Sequence, residues 1–168
     1  MSKWNAKTVR VGQLKGAKLG ITEVQNDGLK ESVMITNQGT VAQPMNGWVL
    51  ASLRGQSFYV FPEDLFLLPG TSIEIRSGQE SASQTSGRES GTIDLHWTTD
   101  QIWNNQGDSA ILFDAEGVEV GRYAYPHERV LRSSAKRCKK LVQGPDGYRI
   151  VDDSMYRKGR VTRRSKTQ

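Results

Sequence analysis

Cysteine is almost absent: Cys138 stands alone among 168 residues. A single thiol excludes an intrachain disulfide and any multi-cysteine zinc site. Among its basic neighbours Lys136, Arg137, Lys139 and Lys140 it reads as a free thiol in a solvated basic segment, and reactivity alone would not make it catalytic. Histidine is nearly as scarce, with only His96 and His127. Neither has a histidine at i+2 or i+4, and no Gly-x-Ser-x-Gly occurs. Metal binding by histidine and serine-nucleophile chemistry therefore have little to draw on. No apolar run approaches the roughly 20 residues that span a bilayer. The start, Met1-Ser-Lys-Trp-Asn-Ala-Lys, has charge but no apolar core of a secretory signal. The chain ends Ser165-Lys-Thr-Gln, which is no prenylation box. The expectation is a non-catalytic cytoplasmic protein with no metal, cofactor, small-molecule substrate or membrane partner.

Acids are missing from the first sixteen residues and scarce in the last forty-two. Residues 1–16 carry four basic residues and no acid, and residues 17–126 carry six basic and fourteen acidic ones. Residues 127–168 carry thirteen basic and four acidic residues. The net +5 thus hides a body of −8 between ends of +4 and +9. The expected organisation is a basic arm over 1–16, a folded body over 17–126 and a basic extension over 127–168 that is partly disordered or forms a short hairpin. A body of 110 residues is long enough to bury a core. The asymmetry makes a polyanion the first partner to test.

Long helical patterns are missing too, and short alternations take their place. Val33 and Ile35 alternate with polar residues, as do Ile73 and Ile75, Leu95 and Trp97, and Val118 and Val120. A period of two means one buried and one wet face. Less regular apolar runs lie at Leu19–Val24, Trp48–Leu53, Ser57–Phe61 and Ala110–Phe113. Asn26-Asp27-Gly28 and Ala115-Glu116-Gly117 read as tight hairpin turns, and Asn37-Gln38-Gly39 and Pro69-Gly70 as reversals. About eight short strands at this spacing predict an all-β sandwich, with a small barrel as the alternative. Gly78–Gly91, nearly devoid of apolar residues, reads as a mobile loop between two strands.

Six of these pieces, in order, resemble the lamin tail domain, an immunoglobulin-like β-sandwich. They are Leu19-Gly-Ile-Thr-Glu-Val, then Glu31-Ser-Val-Met-Ile-Thr-Asn-Gln-Gly, then Asn46-Gly-Trp-Val-Leu. Phe58-Tyr-Val-Phe-Pro and Leu68-Pro-Gly-Thr-Ser-Ile follow. The most telling is Trp103-Asn-Asn-Gln-Gly-Asp108, which leads into Ala110-Ile-Leu-Phe-Asp and Asp114-Ala-Glu-Gly. The resemblance covers about two thirds of the chain. It implies the free-standing or appended prokaryotic type, without the coiled-coil rod of the animal proteins that named the family. Such copies are regarded as binding or accessory modules, and the fold brings no catalytic residues with it.

The basic extension is the strongest functional signal. It holds one cluster at Lys136, Arg137, Lys139 and Lys140 and another at Arg157, Lys158, Arg160, Arg163, Arg164 and Lys166. Tyr148 and Tyr156 interleave with them, and Leu141–Val151 reads as a short hairpin turning at Gly144-Pro-Asp-Gly. Cations neutralise phosphates without reading sequence, and aromatics among them stack on unpaired bases. These residues are the candidate nucleic-acid contacts, to DNA or RNA, while the sandwich offers a surface to a protein partner. The competing expectations are a merely solvated extension and one that docks on its own acidic body or on an acidic protein. Asp100–Asp108 gathers oxygen ligands, yet lacks the spacing of an EF-hand, so turn fixing by Asp108 is preferred over calcium. Trp48, Trp97 and Trp103 read as core residues before they read as a ligand platform.

Overall fold

The computed structural model describes residues 10–81, 91–126 and 138–153. The chain forms β1 (Leu19–Asp27), β2 (Lys30–Asn37), β3 (Gln43–Pro44), β4 (Val49–Ser52), β5 (Ser57–Val60) and β6 (Phe66–Leu67). It continues with β7 (Ser72–Ser77), β8 (Thr92–Thr98), β9 (Asp108–Phe113), β10 (Glu119–Tyr125), β11 (Lys139–Gly144) and β12 (Gly147–Asp152). Two four-stranded sheets, ordered β1-β2-β7-β8 and β10-β9-β4-β5, face one another as a sandwich rather than closing into a barrel. The eight strands expected from the four alternations and the four apolar runs are these eight. The two-residue strands β3 and β6, which no periodicity could announce, pair in a small third sheet.

The sandwich core follows the alternation. Val33, Ile35, Ile73 and Ile75 of the first sheet meet Leu50, Ala110 and Leu112 of the second, all essentially inaccessible. Each of these valine, isoleucine and leucine side chains stabilises the fold by about 1.5–3 kcal/mol. Trp48 and Trp103 fill the remaining space and are fully buried, while Trp97 packs edge-on against Trp103 at 6.1 Å. All three tryptophans thus serve the core. Asn37, also inaccessible, is a polar staple: its amide donates to the carbonyls of Val41 and Leu67 and accepts from Lys18 and Gly39 N–H.

β8 runs parallel to β7 while every other pairing is antiparallel. A parallel return needs a connection of a dozen or more residues, and the fourteen residues of Gly78–Gly91 supply it. The mobility expected of that loop falls on residues 82–90, outside the described residues.

Two segments outside residues 17–126 pack on the sandwich. Residues 10–16 are the first. Trp48 Nε1 donates to the Val11 carbonyl at 2.9 Å, Gln43 bridges Leu14 N–H and the Gly12 carbonyl, and Leu14 packs on the core. A segment beyond Pro126 is the second. β11 and β12 form the hairpin read at 141–151, two residues longer at one end and one at the other. This hairpin lies on the outer face of the second sheet, where Leu141 joins Val49, Ala51, Ile111 and Phe113 in a second core. The second sheet is therefore covered on both faces, and that explains why its runs at 48–53 and 110–113 are apolar without alternation.

Candidate functional site

Strand alternation assigns the hairpin two faces. Lys139, Leu141, Tyr148, Ile150 and Asp152 share one, and Lys140, Val142, Arg149 and Val151 share the other. The first face meets the sheet: Leu141 is 7% exposed, Ile150 packs beside it, and the Tyr148 ring lies 5.6 Å from Phe58. The main chain adds a hold, since Leu141 N–H donates to the Gly117 carbonyl at 2.9 Å and Val118 bridges to Lys140. Gly117 permits this approach. Its φ is +81°, and a Cβ there would sit 2.3 Å from the Leu141 carbonyl oxygen.

Three of the candidate contact residues fall among the described residues, and the hairpin divides them. Lys139 pairs with Asp152 across the strands. Tyr148 is half-buried against Phe58, with its ring committed to packing. Lys140 lies on the outer face, where Arg149, exposed and diagonal to it, joins it. Arg149 was missed as a candidate because it sits outside both charge clusters, and only the register brings it beside Lys140. Lys136, Arg137, Tyr156, Arg157, Lys158, Arg160, Arg163, Arg164 and Lys166 lie outside the described residues.

The second polar constellation is the 102–109 loop. Glu31, 3% exposed, accepts from Ile102 N–H, Trp103 N–H and Ser77 Oγ. Asp108, 8% exposed, accepts from Ser52 Oγ at 2.5 Å and from the N–H groups of Arg54 and Ser109. Asn26 donates to the Trp103 carbonyl, and Tyr125 donates to the Asn104 carbonyl at 3.0 Å. The Tyr125 phenol is pushed above its ordinary 10.0, first by burial and then by the negative charge of Asp108, with a smaller contribution from Glu31. The two carboxylates spend their lone pairs on holding a turn. That is the role expected of Asp108, whereas Glu31, 71 residues from Ile102 in sequence, gave no signal. An open depression of about 500 Å³ beside this loop is lined by Arg54, Gln101, Trp103 and Asn104 to Gln106. His96 shares a 2.8 Å hydrogen bond with Ser81, and His127 lies outside the described residues. Among the described residues no three acids, histidines or cysteines gather as metal ligands, and no helix is long and apolar enough to cross a membrane.

The molecule is a two-sheet β-sandwich whose Trp-Asn-Asn-x-Gly-Asp turn is fixed by the buried carboxylates of Glu31 and Asp108. The family model for the lamin tail domain matches residues 13–127. The chain belongs to the lamin tail domain family. The match opens at Gln13, whose side chain accepts the Leu19 N–H at the start of β1, and so agrees with a body that begins before residue 17. It closes at His127, ahead of the β11–β12 hairpin. The hairpin is thus an addition to the matched lamin tail sandwich, built on its outer face. No curated protein matches this lamin tail domain chain.

Proposed function

We propose that this lamin tail domain protein is a non-catalytic, cytoplasmic binding module attached to nucleic acid through its basic C-terminal extension. One observation carries the reading. The docked hairpin fixes the extension to the sandwich through Leu141, Ile150 and Tyr148, and turns Lys140 and Arg149 to the side away from it. The charge distribution supports it, with +9 over residues 127–168 against −8 over residues 17–126. Cations on a rigid support meet phosphates without being ordered first, and the released counterions supply affinity without sequence reading. The sandwich is then free to hold a protein partner, for example by strand addition at a sheet edge.

The alternative, in which the extension docks on its own acidic body or on an acidic protein, is distinguishable. The hairpin is held to the sandwich by apolar side chains and main-chain bonds, and its Lys139–Asp152 ion pair is internal to it. Charge attraction to the body is not needed to seat it. A salt titration of oligonucleotide binding decides between the readings, comparing the full chain with a chain ending at Asp153. Engagement of six phosphates gives a log–log salt slope of about −5 on duplex DNA. Binding by the full chain at near-physiological salt, reduced in the shortened one, is the expected result. Loss of binding in both at that salt sinks the nucleic-acid reading.

A further inference from the structure

Each main sheet ends in two edge strands, and an edge carries main-chain groups that its own sheet leaves unbonded. Three of these four edges are blunted. β1 shifts register between Ile21 and Glu23 and packs against β10, which shifts its own register between Glu119 and Gly121. β8 carries Asp94 and His96, and its register slips between His96 and Thr98. β5 is the exception. Its pairing with β4 is regular, and Ser57-Phe-Tyr-Val-Phe61 contains no charge, glycine or proline. Register fixes which of its groups are left over. Phe61 N–H donates to the Trp48 carbonyl at 3.1 Å, and antiparallel bonding alternates, so Ser57, Tyr59 and Phe61 bond inward to β4. Phe58 and Val60 turn their N–H and C=O groups outward, where no described residue bonds to them. The Val60 side chain is also open, at 47% exposed, while its cross-strand partner Val49 is buried.

We infer that β5 is a pairing edge for a second copy of this chain, joined antiparallel about a two-fold axis at Tyr59. Phe58 then faces the partner's Val60, and Val60 faces the partner's Phe58. Facing residues of this kind exchange both bonds, so about four main-chain hydrogen bonds form from the outward groups. The same pairing sets an aromatic beside a β-branched side chain, a favourable cross-strand contact, and covers the exposed Val60. The two outward residues flank Tyr59 symmetrically, so the edge is its own complement, as a two-fold interface requires. No charge within residues 57–61 opposes the approach of a second copy. The joined sheet ends in β10 on both sides, where the register shift and the Glu119–Arg122 ion pair stop further addition. This pairing goes beyond the nucleic-acid reading and does not depend on it.

Sedimentation equilibrium of the full chain, from about 10 μM to about 1 mM, tests the pairing. Salt is set high enough to screen the net charge. The expected result is a reversible monomer–dimer equilibrium. Val60→Lys places a charge on the edge opposite the partner's Phe58 and should weaken dimerisation by about tenfold or more. The side chain it replaces is exposed, so the variant should melt within a few degrees of wild type. A second measurement needs no variant. Raising the wild-type concentration should slow amide exchange at Phe58 and Val60 by about threefold or more, with the amides of β8 and β10 unchanged. A monomer throughout the concentration range overturns the pairing. So does a dimer that Val60→Lys forms as tightly as wild type, or one that slows exchange at another edge instead. Mass that keeps growing beyond the dimer overturns the two-fold arrangement. Each of these outcomes leaves the nucleic-acid reading standing.

Discussion

Asp108 shows what a single acid does here. Its oxygens accept from Ser52 Oγ and from the N–H groups of Arg54 and Ser109, so Asp108→Ala strands three donors, the buried Ser52 hydroxyl among them. A loss of about 3 kcal/mol in urea unfolding is expected, and a change under about 0.5 kcal/mol would show that the turn is held by other means. Tyr125 gives a pH dependence. Its phenol is held above 10.0 by burial and by Asp108, so below pH 10 it is neutral in both folded and unfolded chains. As pH climbs past 10 the unfolded phenol ionises while the folded one stays protonated, and stability falls. Tyr125→Phe loses the bond to the Asn104 carbonyl, costing about 1 kcal/mol at pH 7. The gap to wild type should narrow between pH 10 and 11. A gap that stays constant over that range removes the linkage. The Trp103 indole N–H, buried with no partner, is a cost of about 1–3 kcal/mol for which the structure supplies no account.

The hairpin is the element on which the functional reading turns. Two strands alone are marginal in water, and this pair is stabilised by the face on which it lies. Leu141→Ala should cost about 2–4 kcal/mol of docking, seen as faster amide exchange in β11 and β12 with β4 and β9 unchanged. Exchange that rises equally in all four strands would mean that hairpin and sandwich unfold as one unit. Gly117→Ala forces a Cβ toward the Leu141 carbonyl in a left-handed conformation. It should loosen the same hairpin by at least about 1 kcal/mol, with protection at Leu141 N–H as the readout. No effect there would show that the β9–β10 turn shifts to make room.

For the whole molecule, the useful boundary is Asp153 rather than Pro126. Ending the chain at 126 uncovers Val49, Ala51, Ile111 and Phe113, an apolar face meant to be covered. That fragment should melt lower and bind a hydrophobic dye, whereas residues 1–153 should melt within a few degrees of the full chain. Equal melting of the two fragments would make the hairpin a passenger. Nucleic-acid binding lost on cutting at 126 is therefore ambiguous between lost charge and a damaged sandwich, and the cut at 153 is the clean one.

The fold was legible wherever local chemistry repeats. Alternation at Val33 and Ile35 or at Ile73 and Ile75, Gly-containing turns at Gly28 and Gly117, and the order of the lamin-tail segments each report a constraint that neighbouring residues share. The hairpin itself was legible for the same reason, as two short strands around Gly144-Pro-Asp-Gly. Its destination was not. The apolar runs at 48–51 and 110–113 announce burial on both faces but not what covers the second one. Likewise Glu31 and Ile102, or Lys140 and Arg149, become neighbours only through pairing between strands. Sequence by itself determined the β-sandwich class, its family and the placement of charge, because those depend on composition and short-range periodicity. Tertiary structure alone decided that the β11–β12 hairpin of the extension is a third layer on the second sheet. That decision belongs to long-range packing of Leu141 and Ile150 on a distant sheet, a contact with no local signature in the chain.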